Sequence, residues 1–227
     1  MSGATNSAGG VGMKFVIFIL GIFVGQKATA GNDQENGLKV GVQISPISGS
    51  AEKPRRHLRF RNPANLSNSE AERIYTIIRN ALADGYGSSK LPEIADYQNW
   101  QRFNSAPYLS ATHGNHYLNN YGNELSSDYA TPQSVNRLPV GSVLAKDSFS
   151  ITDTREIILG PLAIMTKMPS GFNRVTGDWK YMEVRADGSI VGETNGKNAA
   201  KVDYCIACHL ARGKFDHLYF VPEASRN

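Results

Sequence analysis

Cysteine is nearly absent from this sequence, because its 227 residues contain only two, Cys205 and Cys208. Disulfide-stabilised secreted folds need several cysteine pairs, and structural zinc sites usually draw four ligands from paired clusters. The cysteine count therefore disfavours both classes. The two cysteines are instead separated by two residues and followed at once by His209, which gives the pattern Cys-x-x-Cys-His.

Charge is also sparse and nearly balanced. Lysine and arginine number 24 against 20 aspartates and glutamates, a formal net charge of +4. So weak an excess does not indicate nucleic-acid binding. We interpret the one basic cluster, Lys53 to Arg61, as a solvated surface strip, with docking of an acidic redox partner as the alternative. Motifs of protein-only chemistry are missing as well, including HExxH, a phosphate-binding glycine loop and a convincing Ser/His/Asp set.

Long apolar runs are limited to one, from Phe15 to Val24. The run is shorter than the roughly 20 residues that a helix needs to span a bilayer. It follows Lys14 and precedes Ala28-Thr29-Ala30. A positive residue, a short apolar region and an A-x-A site predict a secretory signal peptide over residues 1–30 and export to the periplasm. An uncleaved N-terminal anchor is the alternative.

The pentapeptide Cys205–His209 is typical of the attachment site of a c-type haem. Each thiol adds across one haem vinyl group to form a thioether, and the following histidine then binds the iron as proximal ligand. A zinc site and a thioredoxin-like redox pair are the alternatives. The chain has no other cysteine for the first and no βαβ pattern for the second. Behind an export signal, the motif predicts one covalently attached haem c.

The mature chain divides into an arm and a domain. Residues 31–65 are rich in Gly, Ser, Pro and Asn, which predicts a poorly ordered arm with one short strand at Lys39 to Ile44. Residues 66–227 are long enough for a single domain with a core.

Two helices are predicted at the start of the domain. The first begins at a capping box formed by Ser67 and Glu70, carries an apolar stripe at helical spacing, and ends near Gly85 as its C′ residue. A second, shorter helix is predicted over Pro92 to Phe103.

Beyond this point the apolar pattern has a period of two, which indicates strands. Strands are predicted over Tyr108 to Tyr121, Ser142 to Ser150, Ile157 to Lys167, Asp178 to Arg185 and Ser189 to Glu193. Pro161 predicts an edge or a bulge in the third, and Ala186-Asp187-Gly188 predicts a hairpin turn between the last two. Consecutive strands with short links predict an α+β fold, in which an antiparallel sheet packs against helices and the haem motif lies near the C-terminus.

The order and spacing of these features resemble the cytochrome P-460 family over Tyr108 to Asp216. The matching pieces are His113–Asn119, Leu138–Lys146, Gly160–Met165, Gly177–Tyr181, the haem motif and Asp216. The resemblance implies an antiparallel sheet with packed helices, commonly a homodimer, and a five-coordinate haem c with His209 as proximal ligand. Family members that oxidise hydroxylamine carry a third covalent link, from a lysine to the porphyrin. A sister family, cytochrome c′-beta, shares the sheet, lacks that link and binds nitric oxide or carbon monoxide.

Lys146 matches the position of the cross-linking lysine in this resemblance. Strand alternation places Leu144, Lys146 and Ser148 on one face of their strand, with Val143, Ala145 and Phe149 on the other. A buried lysine amine of lowered pKa is a nucleophile. Alternation alone favours an ordinary exposed strand lysine, and it is the resemblance that favours a lysine at the haem. Candidates for a sixth iron ligand are Met165, Met168, Met182, His113, His116 and His217. His113 and His116 are predicted on opposite faces of one strand, so both cannot face the iron.

The sequence thus predicts a periplasmic mono-haem cytochrome that oxidises hydroxylamine or a similar small nitrogen compound at an open iron. It implies a small nitrogenous substrate, a periplasmic redox partner and a homodimer. The alternative is a non-catalytic haem protein for nitric oxide binding or electron transfer, like cytochrome c′-beta. The cofactor is common to both hypotheses.

Overall fold

The computed structural model describes residues 39–41, 53–57, 59–132 and 137–227. They belong to one compact unit, Gly37–Asn227. The signal peptide predicted over residues 1–30 lies outside the described residues. Within the described ranges, no helix is both long enough and apolar enough to cross a membrane.

A single antiparallel sheet forms the centre of the fold, as the strand pattern predicts. The strands are β1 (Lys39–Gly41), β2 (Gln101–Arg102), β3 (Tyr108–Ser110), β4 (His116–Gly122), β5 (Val143–Ile151), β6 (Glu156–Leu159), β7 (Leu162–Lys167), β8 (Trp179–Val184) and β9 (Ile190–Glu193). β5 pairs with β4 along one edge and with β6 and β7 along the other, and β8 and β9 follow β7. β2 and β3 both pair with β4. Only β1, which lies beside β6, makes a parallel pair among the described strands.

The predicted interruption at Pro161 is a bulge that divides one predicted strand into β6 and β7. Phe149 of β5 pairs with Leu159, but Lys146, three residues earlier, pairs with Ala163, four residues later. One extra residue therefore stands opposite β5 at this point. Proline has no N–H to donate to the hydrogen-bond ladder, so the ladder is interrupted at Pro161 and resumes after it.

The first helix, α1 (Asn68–Gly87), begins at the predicted capping box. The Ser67 hydroxyl accepts the Glu70 N–H, and the Glu70 carboxylate accepts the Ser67 N–H. The predicted end at Gly85 is wrong, since α1 runs to Gly87. Gly85 remains helical because it packs against the backbone of Ala186, where a Cβ would clash, and because Tyr86 buries its ring and donates its hydroxyl to the Gly160 carbonyl at 2.8 Å.

The second predicted helix, over Pro92 to Phe103, is also wrong. This segment forms two short 3-10 turns, Pro92–Ile94 and Tyr97–Asn99, followed by β2. The Phe103 N–H donates to the Asn120 carbonyl at 2.9 Å, so pairing with β4 replaces the bonds that would continue a helix. The ladder of the sheet overrides the local pattern.

The Ser67→Ala variant tests the capping box. We expect it to lower the free energy of unfolding by about 1 kcal/mol, because the variant leaves a helix N–H without its side-chain acceptor. Urea unfolding followed by circular dichroism measures this change. The matched control is Ser69→Ala, whose hydroxyl contacts that of Ser67 and caps no N–H within the described part of the chain. Equal losses in the two variants would contradict the capping role.

Two apolar clusters cover opposite faces of the sheet. One lies under α1 and includes Ile74, Ile78 and Phe149. The other includes Leu144 and Cys205 and lies under the C-terminal segment. The predicted alternation in β5 is therefore confirmed, and the Cys205–His209 segment lies on the face opposite α1.

The structure describes part of the predicted arm, residues 39–41, 53–57 and 59–65. β1 pairs with β6 over the first three residues of the predicted strand. Phe60 is buried, and its N–H donates to the Gly114 carbonyl at 2.7 Å. His57 reaches a buried carboxylate of β8, Glu183. The described residues of the arm therefore contact the sheet through backbone and side-chain hydrogen bonds.

Candidate functional site

The Cys-x-x-Cys-His motif forms a short helix, α2 (Asp203–His209). Residues three and four apart share one side of a helix, so Cys205, Cys208 and His209 lie on the same side. Cys205 and His209 are buried against the sheet, Cys208 is exposed, and neither cysteine forms a disulfide. The helix thus presents two free thiols and one imidazole together, with one thiol at the surface.

A small cavity lies between α2 and the sheet. Its wall contains residues from β5, β7, β8, α2 and two segments nearer the N-terminus, namely Leu144, Lys146, Ala163, Ile164, Met165, Tyr181, Met182, Cys205, His209, His57 and His113. Three of the four predicted site residues, Lys146, Cys205 and His209, therefore line one cavity. The fourth, Cys208, lies one helical turn beyond Cys205 on α2 and is exposed.

His209 has one ring nitrogen fixed by the backbone and the other free. Its Nδ1 lies 2.6 Å from the His217 carbonyl, which can only accept, so Nδ1 carries the proton and Nε2 keeps its lone pair. Burial lowers the pKa of His209 to about 3, which keeps the imidazole neutral. A neutral imidazole oriented by a carbonyl on its second nitrogen is the usual form of a metal-binding histidine.

The carbonyl that orients His209 is itself held by an anchored turn. Asp216 and His217 both have positive φ, 51° and 61°. The Asp216 carboxylate forms a buried ion pair with Lys167 at 2.5 Å, and the Asp216 carbonyl accepts the Trp179 indole N–H at 2.8 Å. Two strands, β7 and β8, therefore fix the backbone that positions the histidine.

Lys146 is buried at the cavity wall. Its Nζ donates to the Tyr219 carbonyl at 3.4 Å, and no carboxylate partner lies within ion-pair distance among the described residues. Burial lowers the pKa of Lys146 to about 8. A substantial fraction of the amine is therefore neutral near physiological pH, and a neutral amine is nucleophilic.

Tyr181 supplies a buried hydroxyl that no described residue satisfies. Its ring lies 5.0 Å from that of His209, and the residue lines the cavity. A buried hydroxyl without a partner indicates that something else fills the space beside it. With two free thiols, a free imidazole nitrogen and a mostly apolar wall, the residues present fit a covalently attached haem c.

The alternative uses of the cysteine pair fit less well. Burial raises the pKa of the Cys205 thiol well above its usual value. Redox-active CxxC pairs depend on a lowered thiol pKa instead. Within the described ranges, no group of three or more His, Cys, Asp or Glu side chains is arranged to hold a metal ion.

The structure places some of the predicted sixth-ligand candidates at the cavity and others away from it. Met165, Met182 and His113 line the cavity. His116 is buried elsewhere, with its Nδ1 2.7 Å from the Ser150 hydroxyl, and Met168 and His217 lie outside the cavity wall. His113 lies in the turn before β4 and His116 is the first residue of β4, so the two histidines do not share a strand as predicted.

Sequence reasoning missed three residues at this site. His57 belongs to the basic cluster interpreted as a surface strip, yet it lines the cavity and binds Glu183, 126 residues away. Tyr204 donates to the same carboxylate at 2.6 Å. No local spacing signals these contacts, since only the packing of the arm on β8 and α2 creates them.

A scan of the sequence against protein-family models finds no match, and a search of curated proteins finds no similar sequence.

Proposed function

We propose that this chain carries one haem c on Cys205 and Cys208, with His209 as proximal ligand, and oxidises hydroxylamine or a similar small nitrogen compound in the periplasm. The observation that carries the proposal is the shared cavity. It brings Cys205, the free Nε2 of His209 and the buried amine of Lys146 to one site, although Lys146 and Cys205 are 59 residues apart in the sequence. The resemblance to cytochrome P-460 supplies the reaction class.

The roles of the residues follow from their chemistry. Cys205 and Cys208 would hold the haem through thioethers, formed as each S–H adds across a vinyl group without change of redox state. His209, fixed by the His217 carbonyl, would bind the iron through Nε2. When bound, the haem supplies an electron acceptor. Leu144 and Met165 add apolar side chains to the wall of the same space.

Lys146 is the candidate for the third covalent link. Its position on the cavity wall and its lowered pKa would make its neutral amine available for a bond to a carbon of the macrocycle. Such an N–C bond replaces one N–H and one C–H, so its formation needs a two-electron oxidant such as a peroxide. The link would retune the electronic properties of the macrocycle.

The electrons taken from the substrate must leave the site. The exposed position of Cys208 brings one end of α2 to the surface, which supports transfer to a periplasmic redox partner. A homodimer is part of the proposal through the resemblance alone.

Intact-mass and peptide mass spectrometry of the protein purified from the periplasm tests the proposal, together with the ferrous absorption spectrum. We expect a haem joined to Cys205, Cys208 and Lys146, and a broadened, strongly red-shifted Soret band. A haem on the two cysteines alone, with an ordinary c-type spectrum, would favour nitric oxide binding or electron transfer of the cytochrome c′-beta kind. Absence of covalent haem would overturn the proposal.

A further inference from the structure

A second group of polar side chains faces the cavity, apart from those assigned to haem attachment. His57 lines the cavity and places its Nδ1 2.8 Å from Glu183 Oε2. Tyr204 donates its hydroxyl to the same carboxylate oxygen at 2.6 Å. The ring of His113, also on the cavity wall, stacks on His57 with centroids 4.7 Å apart.

Glu183 is a charged acceptor in spite of its burial. Burial acts to raise its pKa, but the hydrogen bonds from His57 and Tyr204 oppose it, so the pKa of Glu183 lies below its usual value. Only 6% of the side chain is exposed. A carboxylate has no hydrogen to donate, so the hydrogen of the 2.8 Å contact belongs to His57 Nδ1.

The contact between His57 Nδ1 and Glu183 determines which state the second ring nitrogen, Nε2, adopts. With Nδ1 protonated and bound to a carboxylate, the neutral His57 ring has its lone pair on Nε2. A carboxylate behind an imidazole also stabilises the imidazolium that forms when Nε2 accepts a proton. His57 and Glu183 therefore have the arrangement of a general base and the group that orients it.

His113 is the competing base at the same wall. Burial lowers its pKa well below the usual range, and the charge of Lys146 lowers it further. Its Nδ1 faces two neutral hydroxyls, those of Ser110 at 3.4 Å and Thr112 at 3.2 Å, rather than a carboxylate. His113 is therefore a poor proton acceptor, and its stacked ring holds His57 in place.

We propose that His57 is a catalytic residue that accepts a proton from a protic ligand in the cavity, and that Glu183 is its positioning residue. In this step an O–H or N–H bond of the ligand breaks; in hydrogen cyanide it is the C–H bond. The proton binds His57 Nε2, and the electron pair of the broken bond remains on the ligand. The ligand class is a small neutral acid such as hydroxylamine or hydrogen cyanide. The groups that face His57 are Glu183 from β8, Tyr204 from α2, and His113 and Lys146 across the cavity wall. The inference rests on the proposed haem site.

Cyanide binding to the ferric holoprotein tests the step without substrate turnover. Below its own pKa the ligand is hydrogen cyanide, which must lose a proton as it binds, and stopped-flow absorption gives the association rate constant. We expect His57→Gln to lower this constant by about 100-fold, within the range of general base catalysis, and Glu183→Gln to lower it by about 10-fold. Carbon monoxide binding to the ferrous protein involves no proton, so its rate should change less than about 3-fold in both variants.

The controls separate the competing explanations. His116→Gln changes a buried histidine that binds Ser150 outside the cavity wall, and its cyanide rate should stay at the wild-type value. His113→Gln should have a smaller effect than His57→Gln. Slow cyanide binding in His113→Gln with a normal rate in His57→Gln would overturn the proposal, as would equal slowing of cyanide and carbon monoxide. A protein that shows the expected cyanide rates but does not oxidise hydroxylamine would refute the proposed substrate and leave His57 as the proton acceptor.

Discussion

Replacing Lys146 with methionine is expected to abolish the third haem link and to return the Soret band to the position of an ordinary haem c. Hydroxylamine oxidation should fall by about 10- to 100-fold, the range seen when a group that tunes a metal centre is removed. Methionine retains the length and the packing of the side chain and removes the nucleophilic amine. Peptide mass spectrometry, the ferrous spectrum and turnover with an artificial electron acceptor measure the three effects.

Two companion variants make the Lys146 result specific. Lys146→Arg keeps a positive charge that does not deprotonate near neutral pH, so it should lack the link just as methionine does. Lys197→Met alters an exposed lysine outside the cavity and should leave mass, spectrum and turnover unchanged, apart from the mass of the substitution itself. An unchanged spectrum and unchanged turnover in Lys146→Met would remove this lysine from the account.

The pKa of Lys146 also predicts how the rate of link formation changes with pH. Because burial lowers that pKa to about 8, the neutral amine becomes the main form as the pH rises through this value. The rate of link formation in freshly reconstituted protein should therefore increase between about pH 7 and pH 9 and then level off.

Replacing Asp216 with asparagine is expected to be the most destabilising single change at the site. The variant leaves the Lys167 ammonium buried without its carboxylate, since both side chains are at most 6% exposed. Breaking a buried ion pair from one side costs about 3–5 kcal/mol. Urea unfolding followed by circular dichroism measures the change in the free energy of unfolding, and the haem spectrum reports whether the turn that carries the His217 carbonyl has moved.

A double variant shows whether the cost comes from the uncompensated charge. Lys167→Met combined with Asp216→Asn removes both charges, so it should be more stable than Asp216→Asn alone. In both variants the amide oxygen introduced by Asp216→Asn can still accept the Leu138 N–H, which Asp216 Oδ2 accepts at 2.9 Å in the wild type. A loss below about 1 kcal/mol in the single variant would show that the pair contributes little.

Much of the fold follows from local patterns. The capping box of α1, the alternation in β5, the hairpin between β8 and β9 and the bulge at Pro161 all depend on neighbouring residues, and the structure confirms each of them. The wrong predictions lie where tertiary contacts override the local sequence pattern. α1 passes Gly85 because Tyr86 is buried beneath it, and the segment before β2 leaves the helical pattern because β4 offers a hydrogen-bonding edge.

At the candidate site, too, some features follow from the sequence and others depend on tertiary contacts. The sequence contains the Cys-x-x-Cys-His spacing of Cys205, Cys208 and His209, and the helix α2 then places the three on one side because residues three and four apart face the same way. Three features required the packed structure: the burial that lowers the pKa of Lys146, the His217 carbonyl that orients His209, and the approach of His57 to Glu183. The sequence by itself predicts which groups would hold a haem, since covalent attachment depends on a local motif. Only the tertiary structure decided which other groups share that cavity, because burial and contacts between distant segments arise when the sheet, α2 and the arm pack together.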